Sequence, residues 1–269
     1  MRGATGDLPP LAVSMGDPAG IGLDIVLTAV LEARARELSA FVVYADPDAL
    51  ARRADALGLA VAIRTVDETC GLQIEAATGE PSLAVVPIPL AEPAIAGRPS
   101  AANAGAIIAA IERATAAVVA GRASAVVTLP IAKSVLQQAG FPHPGHTEFL
   151  GRLAVRHDPA HRGRPIMMLA SDELRVVPAT VHIPLSAVPG ALTRELLVET
   201  ITTTAAALVA DFGIVRPRVA VAGLNPHAGE SGTMGREDMD LIAPIVAELR
   251  ASGLDVTGPH PADTLFHAA

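Results

Sequence analysis

The chain has no tryptophan, one tyrosine and five phenylalanines, so aromatics make up only 2% of its 269 residues. Its core must therefore be assembled from Ala, Val, Leu and Ile, which favours close packing of helices on a sheet over an aromatic-rich sandwich. Cysteine is limited to Cys70. That excludes a disulfide within the chain and a Cys-based zinc cluster, and it fits a reducing compartment. Basic residues are outnumbered, 20 Lys and Arg against 28 Asp and Glu for a net charge of −8, and they form no long run. Affinity for a nucleic-acid backbone needs clustered cations, so that partner is not expected. The opening stretch MRGATGDLPPLAVSMGDPAG has no apolar signal-peptide core. Longer apolar runs are broken by charge, Gly or Pro, so no membrane span is expected and the expected location is cytoplasmic.

What remains is 51% hydrophobic and 18% charged, enough for one large domain or two closely joined lobes. Short β-type runs alternate with longer helical patterns. The strands are expected at 11–15, 41–45, 61–65, 84–88, 125–129, 166–169, 179–182 and 218–222. Several are unbroken Val/Ala/Ile runs, as in strands covered on both faces. The helices are expected at 23–38, 47–57, 101–120, 147–155, 193–211 and 236–251. Gly58, Gly121, Gly140 and Gly253 each follow a helical stretch, where a left-handed cap fits. This alternation predicts an α/β fold.

Five clusters carry residues suited to chemistry. Met15-Gly16-Asp17-Pro18-Ala19-Gly20-Ile21-Gly22 follows the first strand and opens a helix, but it has neither G-x-G-x-x-G spacing nor the Lys-Ser/Thr of a P-loop. Alone, it reads equally as a tight strand–helix turn. Thr128–Lys133 and Gly145-His146-Thr147-Glu148-Phe149-Leu150 form the second cluster. Thr147 offers a hydroxyl, the helix start offers amides for an anion, and His146, when protonated, adds a cationic donor. An N-terminal cap beside an ordinary histidine reads as well. His182, in Thr180–Leu185, and His227, in Gly223–Glu230, both follow strand ends, where ligands gather in open α/β sheets. Two such histidines can converge on one divalent metal, although catalytic zinc usually takes three protein ligands. Asn225 and Glu230 are candidates to support them. Asp263, in Gly258–Phe266, suits a metal-side carboxylate or an acid/base group, or simply an Asx turn after proline.

The joint order of the motifs is more specific than any one of them. SMGDPAGIG, LPIAK, GHTEFL, MMLASDELRVVPATVHIPL, GLNPHAGESGTMGRED and GPHPADTLF, running from about Leu11 to the chain end, resemble the 4-hydroxythreonine-4-phosphate dehydrogenase family of vitamin B6 biosynthesis. The resemblance implies a two-lobed isocitrate/isopropylmalate dehydrogenase-like fold with the active-site cleft between lobes. A first α/β lobe is expected at 1–127 plus 253–269 and a second at 128–252. It implies NAD or NADP as cofactor, a divalent metal (Zn, Mg or Co), a small phosphorylated hydroxy acid as substrate, and a homodimer whose subunits share each site. The reaction implied is oxidation of 4-phosphooxy-L-threonine, followed by decarboxylation to 3-amino-2-oxopropyl phosphate.

By the same resemblance His182 and His227 are two of three metal-binding histidines, with their rings facing one cleft. His146 and Thr147 hold the substrate's phosphate end, and Asp263 is an active-site aspartate. No residue is assigned to the dinucleotide. The family pattern continues for roughly sixty more residues, a length carried by the resemblance alone. They hold a Tyr-His-Asp-Gln-Gly motif with the third histidine and a substrate-binding Lys, Asn and Arg. Nothing after Phe266 supplies these groups, and His267 is not expected to replace the third ligand. Two alternatives follow: a paralogous 4-phospho-threonate or phospho-erythronate dehydrogenase, and an inactive truncated binding protein.

Overall fold

The structure is a computed structural model that describes residues 8–33, 35–68, 81–143, 145–157 and 164–266. Cys70 and His267 lie outside these residues. The chain forms two compact units, residues 1–161 and 162–269.

The first unit is built on a five-stranded, all-parallel sheet in the order β3-β4-β2-β1-β5. Its strands are β1 (Leu11–Ser14), β2 (Phe41–Ala45), β3 (Ala62–Thr65), β4 (Ser82–Pro87) and β5 (Val126–Thr128). The central runs FVVYA and SLAVVP are buried along nearly their whole length because helices cover both faces. The helices are α1 (Gly22–Glu32), α2 (Pro47–Leu57), α3 (Ala104–Val119), α4 (Lys133–Gln138) and α5 (His146–His157).

Local chemistry sets the bounds of α2. The Asp46 carboxylate caps it, accepting from the Ala49 amide at 2.8 Å, Pro47 opens the first turn, and Gly58 closes it at φ 65°. Together with its preceding turn, α3 is long and apolar enough to cross a membrane. Its apolar stripe Ile107, Ala110, Ile111, Ala114 and Ala117 is instead buried, with the helix packed on β1, β2 and β5. Small alanines on that stripe let the helix approach the sheet closely, as an aromatic-poor core requires.

The second unit holds a hairpin, β6 (Leu169–Ala170) with β7 (Arg175–Val176), and a parallel pair, β8 (Val219–Ala222) with β9 (Val256–His260). Its helices are the short α6 (Val188–Ala191), α7 (Arg194–Ala210) and α8 (Ala243–Ala251), the last preceded by a π-helical turn, Asp238–Ile242. Leu197 and Ile201 of α7 meet Ile245, Val246 and Leu249 of α8 and Val256 of β9 in a separate small core.

Two features differ from expectation. Residues 179–182 form no strand, because His182 takes φ 57° and breaks the extended backbone. The stretch 166–169 contributes only Leu169, to a two-residue strand. By compactness the chain divides between 161 and 162. Phe149 and Leu153 bury α5 in the first unit's core, and β9 pairs with β8 inside the second unit.

The sheet's strand order places the reversal between β1 and β5, and the loops that follow these two strands meet there. Asp17 donates its amide to the Pro130 carbonyl at 2.8 Å. Gly16, at φ 67°, lies so close that a Cβ would sit 2.5 Å from Pro130 O. Gly16→Ala is therefore expected to lower stability by about 1–3 kcal/mol or more from backbone strain alone, with further loss from the clash. A urea denaturation midpoint close to that of the parent chain would disprove this tight contact.

Candidate functional site

Two groups of side chains, one in each unit, draw together the residues that the sequence singles out. The first lies at the start of α5. Phe149 is the residue whose amide bonds the Gly145 carbonyl, at 3.3 Å. The amides of His146, Thr147 and Glu148 in the first turn have no helical partner, and the helix dipole adds positive potential there. Lys133, at the start of α4, reaches the same place: a Cβ built on Gly145 would lie 3.6 Å from both its Cε and its Nζ. Residues 133 and 145–148 are thus brought together, although the motif spacing did not require it.

His146 is half-buried, and its Nε2 is buried with no hydrogen-bond partner among the described residues. Burial, and then the neighbouring Lys133 ammonium, push the imidazole's pKa below its usual 6.5. The sequence suggests a protonated His146 as cationic donor, but the structure favours the neutral ring near pH 7. His143 has a different part to play. Its ring packs against Phe141 and Phe149 at centroid distances of 5.1 and 5.2 Å, as a member of an aromatic cluster.

The second group surrounds His227, in the loop after β8. Its Nδ1 lies 3.1 Å from Asp263 Oδ2, and the Asp263 amide donates to the Pro226 carbonyl at 3.3 Å. Two residues 36 positions apart in the sequence are joined in this way because β9 runs parallel to β8 and delivers residues 261–264 beside the 223–228 loop. The His227 amide donates to Asn225 Oδ1 at 2.9 Å, and Asn225 Nδ2 donates to the Met234 carbonyl at 3.1 Å.

Beneath them is Asp238, 2% exposed, on the π-helical turn. Its two oxygens accept the amides of Leu224 at 2.8 Å and Asn225 at 3.2 Å. Nothing in the motif pattern points to Asp238, since an acid within REDMD reads as solvated. Its only available signal was the loop's need for acceptors.

His182 lies between β7 and the short helical turn Leu185–Ala187, exposed and without a ring partner among the described residues. Of four non-glycine residues at positive φ among the described residues, His182, Ala228 and Glu230 lie in these loops. Strained backbone of that kind collects at functional sites. Among the described residues no three His, Cys, Asp or Glu side chains gather to hold a metal. His227 nevertheless suits a ligand: Asp263 holds its Nδ1, which leaves Nε2, without a partner among the described residues, as the electron-pair donor, as supporting carboxylates do for metal-binding histidines.

A model of the family described as pyridoxal phosphate biosynthetic protein PdxA matches residues 37–269. The chain belongs to the PdxA family. It is 49% identical over 261 residues to the 4-hydroxythreonine-4-phosphate dehydrogenase of Xanthobacter autotrophicus strain Py2, covering 96% of this chain and 72% of that relative. The crystal structure of the 4-hydroxythreonine-4-phosphate dehydrogenase of Klebsiella pneumoniae superposes with a TM-score of 0.82 at 34% identity, over 96% of this chain and 77% of the other. A terephthalate 1,2-cis-dihydrodiol dehydrogenase of Burkholderia xenovorans LB400 is more distant, at TM-score 0.61 and 26% identity over 96% and 75% of the two chains. The PdxA-type α/β fold is thus of the isocitrate/isopropylmalate dehydrogenase class.

Two outcomes test these geometries. Asp238→Ala leaves two loop amides without acceptors and is expected to cost on the order of 3 kcal/mol. It should also speed amide exchange at 224–227, and unchanged exchange there would refute its hold on the loop. His146 is expected to titrate below 6.5 by NMR. Because its pKa is lower folded than unfolded, it contributes stability at neutral pH that is lost as pH falls through 6.5 toward the folded value. A His146 that titrates above 6.5 would disprove this assignment.

Proposed function

We propose that this chain is a 4-hydroxythreonine-4-phosphate dehydrogenase. It oxidises the secondary alcohol of 4-phosphooxy-L-threonine with NAD or NADP. The 2-amino-3-oxo acid that results loses CO2 to give 3-amino-2-oxopropyl phosphate, on the way to pyridoxine 5'-phosphate. The observation that carries this reading is the near-half identity over 96% of the chain to a protein of that name. At that coverage it reaches into both units.

The start of α5 suits the phosphate end of the substrate. First-turn amides and the Thr147 hydroxyl donate to its oxygens, and the helix dipole favours its charge. Asp263 orients His227 through the 3.1 Å bond to Nδ1. Its Oδ1 has no partner among the described residues and is the atom we assign to take up or return a proton. His227 and His182 are the chain's own candidates to hold a divalent cation: zinc, magnesium or cobalt. When bound, such a cation supplies Lewis acidity to the substrate's alcohol and keto oxygens. The nicotinamide cofactor supplies the hydride acceptor, and no described residue is assigned to it.

We infer a homodimer that shares its sites, a cytoplasmic location, and no nucleic-acid or membrane partner. The lobe division at 127/128, with 253–269 returning to the first lobe, remains part of this proposal for the assembled enzyme.

The test is an assay of 4-phosphooxy-threonine, 4-phospho-threonate and phospho-erythronate with NAD+ and NADP+. It should follow nicotinamide reduction and CO2 release, before and after chelation and metal replacement. Turnover is expected with 4-phosphooxy-threonine and lost on chelation. Thr147→Ala is expected to raise KM about tenfold or more, through loss of a charge-assisted hydrogen bond of about 1.5–3 kcal/mol. Preference for a phospho-aldonate, or no reduction of either cofactor, would overturn the reading.

A further inference from the structure

We propose that Lys133 is a specificity residue of this site, the fixed positive charge at the start of α5 that selects a phosphorylated over an unphosphorylated substrate. The inference rests on the phosphate-end reading above and goes beyond the two residues, His146 and Thr147, that carry it. The geometry is local. The Lys133 ammonium lies 3.6 Å from where a Cβ on Gly145 would sit. That places it near the start of α5, where the first-turn amides of residues 146–148 have no helical partner. His146, whose ring feels the Lys133 charge, has its Nε2 buried without a partner among the described residues. A positive charge, free amides and an unfilled ring nitrogen share one helix end, and an anion with several oxygens satisfies all three.

Lys133 forms no ion pair among the described residues. The Glu148 carboxylate also borders Gly145, its Oε2 at 3.6 Å from the same Cβ position, yet does not close on Lys133. The lysine is exposed, as it must be to meet a substrate arriving from solution. Its place is fixed through the backbone. The 129–133 segment is tied to the loop after β1 by the Asp17–Pro130 bond, so the start of α4 is anchored at the strand ends. A neutral His146 serves here as a hydrogen-bonding group, and the charge that distinguishes a phosphate from a hydroxyl comes from the lysine.

The experiment compares the parent chain with Lys133→Gln, Lys133→Arg and the double variant Lys133→Gln/Glu148→Gln. Three readouts are taken: KM and kcat for 4-phosphooxy-threonine, KM for unphosphorylated 4-hydroxythreonine, and the dissociation constant of inorganic phosphate by calorimetry. Lys133→Gln is expected to raise KM for the phosphorylated substrate and weaken phosphate binding, each about tenfold or more. KM for the unphosphorylated compound and the thermal midpoint should stay put. Lys133→Arg should recover most of the loss, and the double variant should not. If Lys133→Gln leaves both phosphate readouts unchanged, or shifts both substrates equally, the inference falls while the dehydrogenase reading stands. If removing Glu148 restores KM, Lys133 merely offsets that carboxylate and the inference also falls. Lys133-dependent phosphate binding without turnover of 4-phosphooxy-threonine would sink the dehydrogenase reading and leave the anion site in place.

Discussion

The first unit depends on one contact, the 2.8 Å hydrogen bond from the Asp17 amide to the Pro130 carbonyl, formed where residue 16 has no side chain. Both loops leave adjacent parallel strands at their carboxyl ends, and parallel strands present all such ends on one edge. Without the close approach at Gly16, the segment that carries Lys133 would be free to swing away from the sheet. Gly22 makes a second close approach, with a Cβ position 2.7 Å from the Met15 carbonyl. Arg53, from α2, adds an outer tie, donating to the Gly20 and Pro18 carbonyls at 3.1 and 3.2 Å and to Asp24 at 2.6 Å. The glycines of GDPAGIG are thus explained by chain packing. In this structure the loop is a clamp between two strand ends, with its inner side already filled by protein backbone.

The second unit solves the same problem, holding a loop still at a strand end, with a buried acid instead of a missing side chain. Asp238 accepts two loop amides, Asn225 passes the constraint to the His227 amide, and Asp263 fixes the ring. Each step uses a group that would otherwise be an unsatisfied donor or acceptor in a crowded turn. Ala228 and Glu230, at φ 50° and 41°, show that the turn is held against local backbone preference. A loop so constrained presents His227 with little orientational freedom. That is what a metal ligand or a positioned hydrogen-bond donor needs, and what an ordinary surface histidine lacks.

The legibility of the sequence follows from how local each signal is. Helix α2 runs over the expected 47–57 because its cap, its first-turn proline and its closing glycine are all within the segment. The central strands read correctly because burial on both faces leaves unbroken apolar runs. Strand β9 was missed: VTGPH contains both Gly and Pro, and its pairing depends on β8, far away in sequence. Residues 179–182 look like a strand by composition, but that reading ignored Pro184 and the left-handed backbone at His182. The candidate residues themselves were visible through their motifs, whereas the groups that position them were not. Asp238 and the meeting of Lys133 with Gly145 are consequences of packing between elements, and no spacing rule encodes them.

The distant likeness to a terephthalate dihydrodiol dehydrogenase bears on where substrate choice resides. A dihydrodiol of terephthalate and a phosphorylated hydroxy amino acid have in common a secondary alcohol and negative charge, but only one has a phosphate. Two folds alike at TM-score 0.61 cannot owe that difference to the sheet. It must lie in side chains that the sheet carries at its strand ends. In the first unit those are few. The sheet's reversal leaves a place where loops converge, and there Lys133, on a short helix, stands next to the amides of a longer one. A fold of this kind can keep its oxidation chemistry and change its substrate by altering what stands at that helix end, because Lys133 is exposed and lies outside the core.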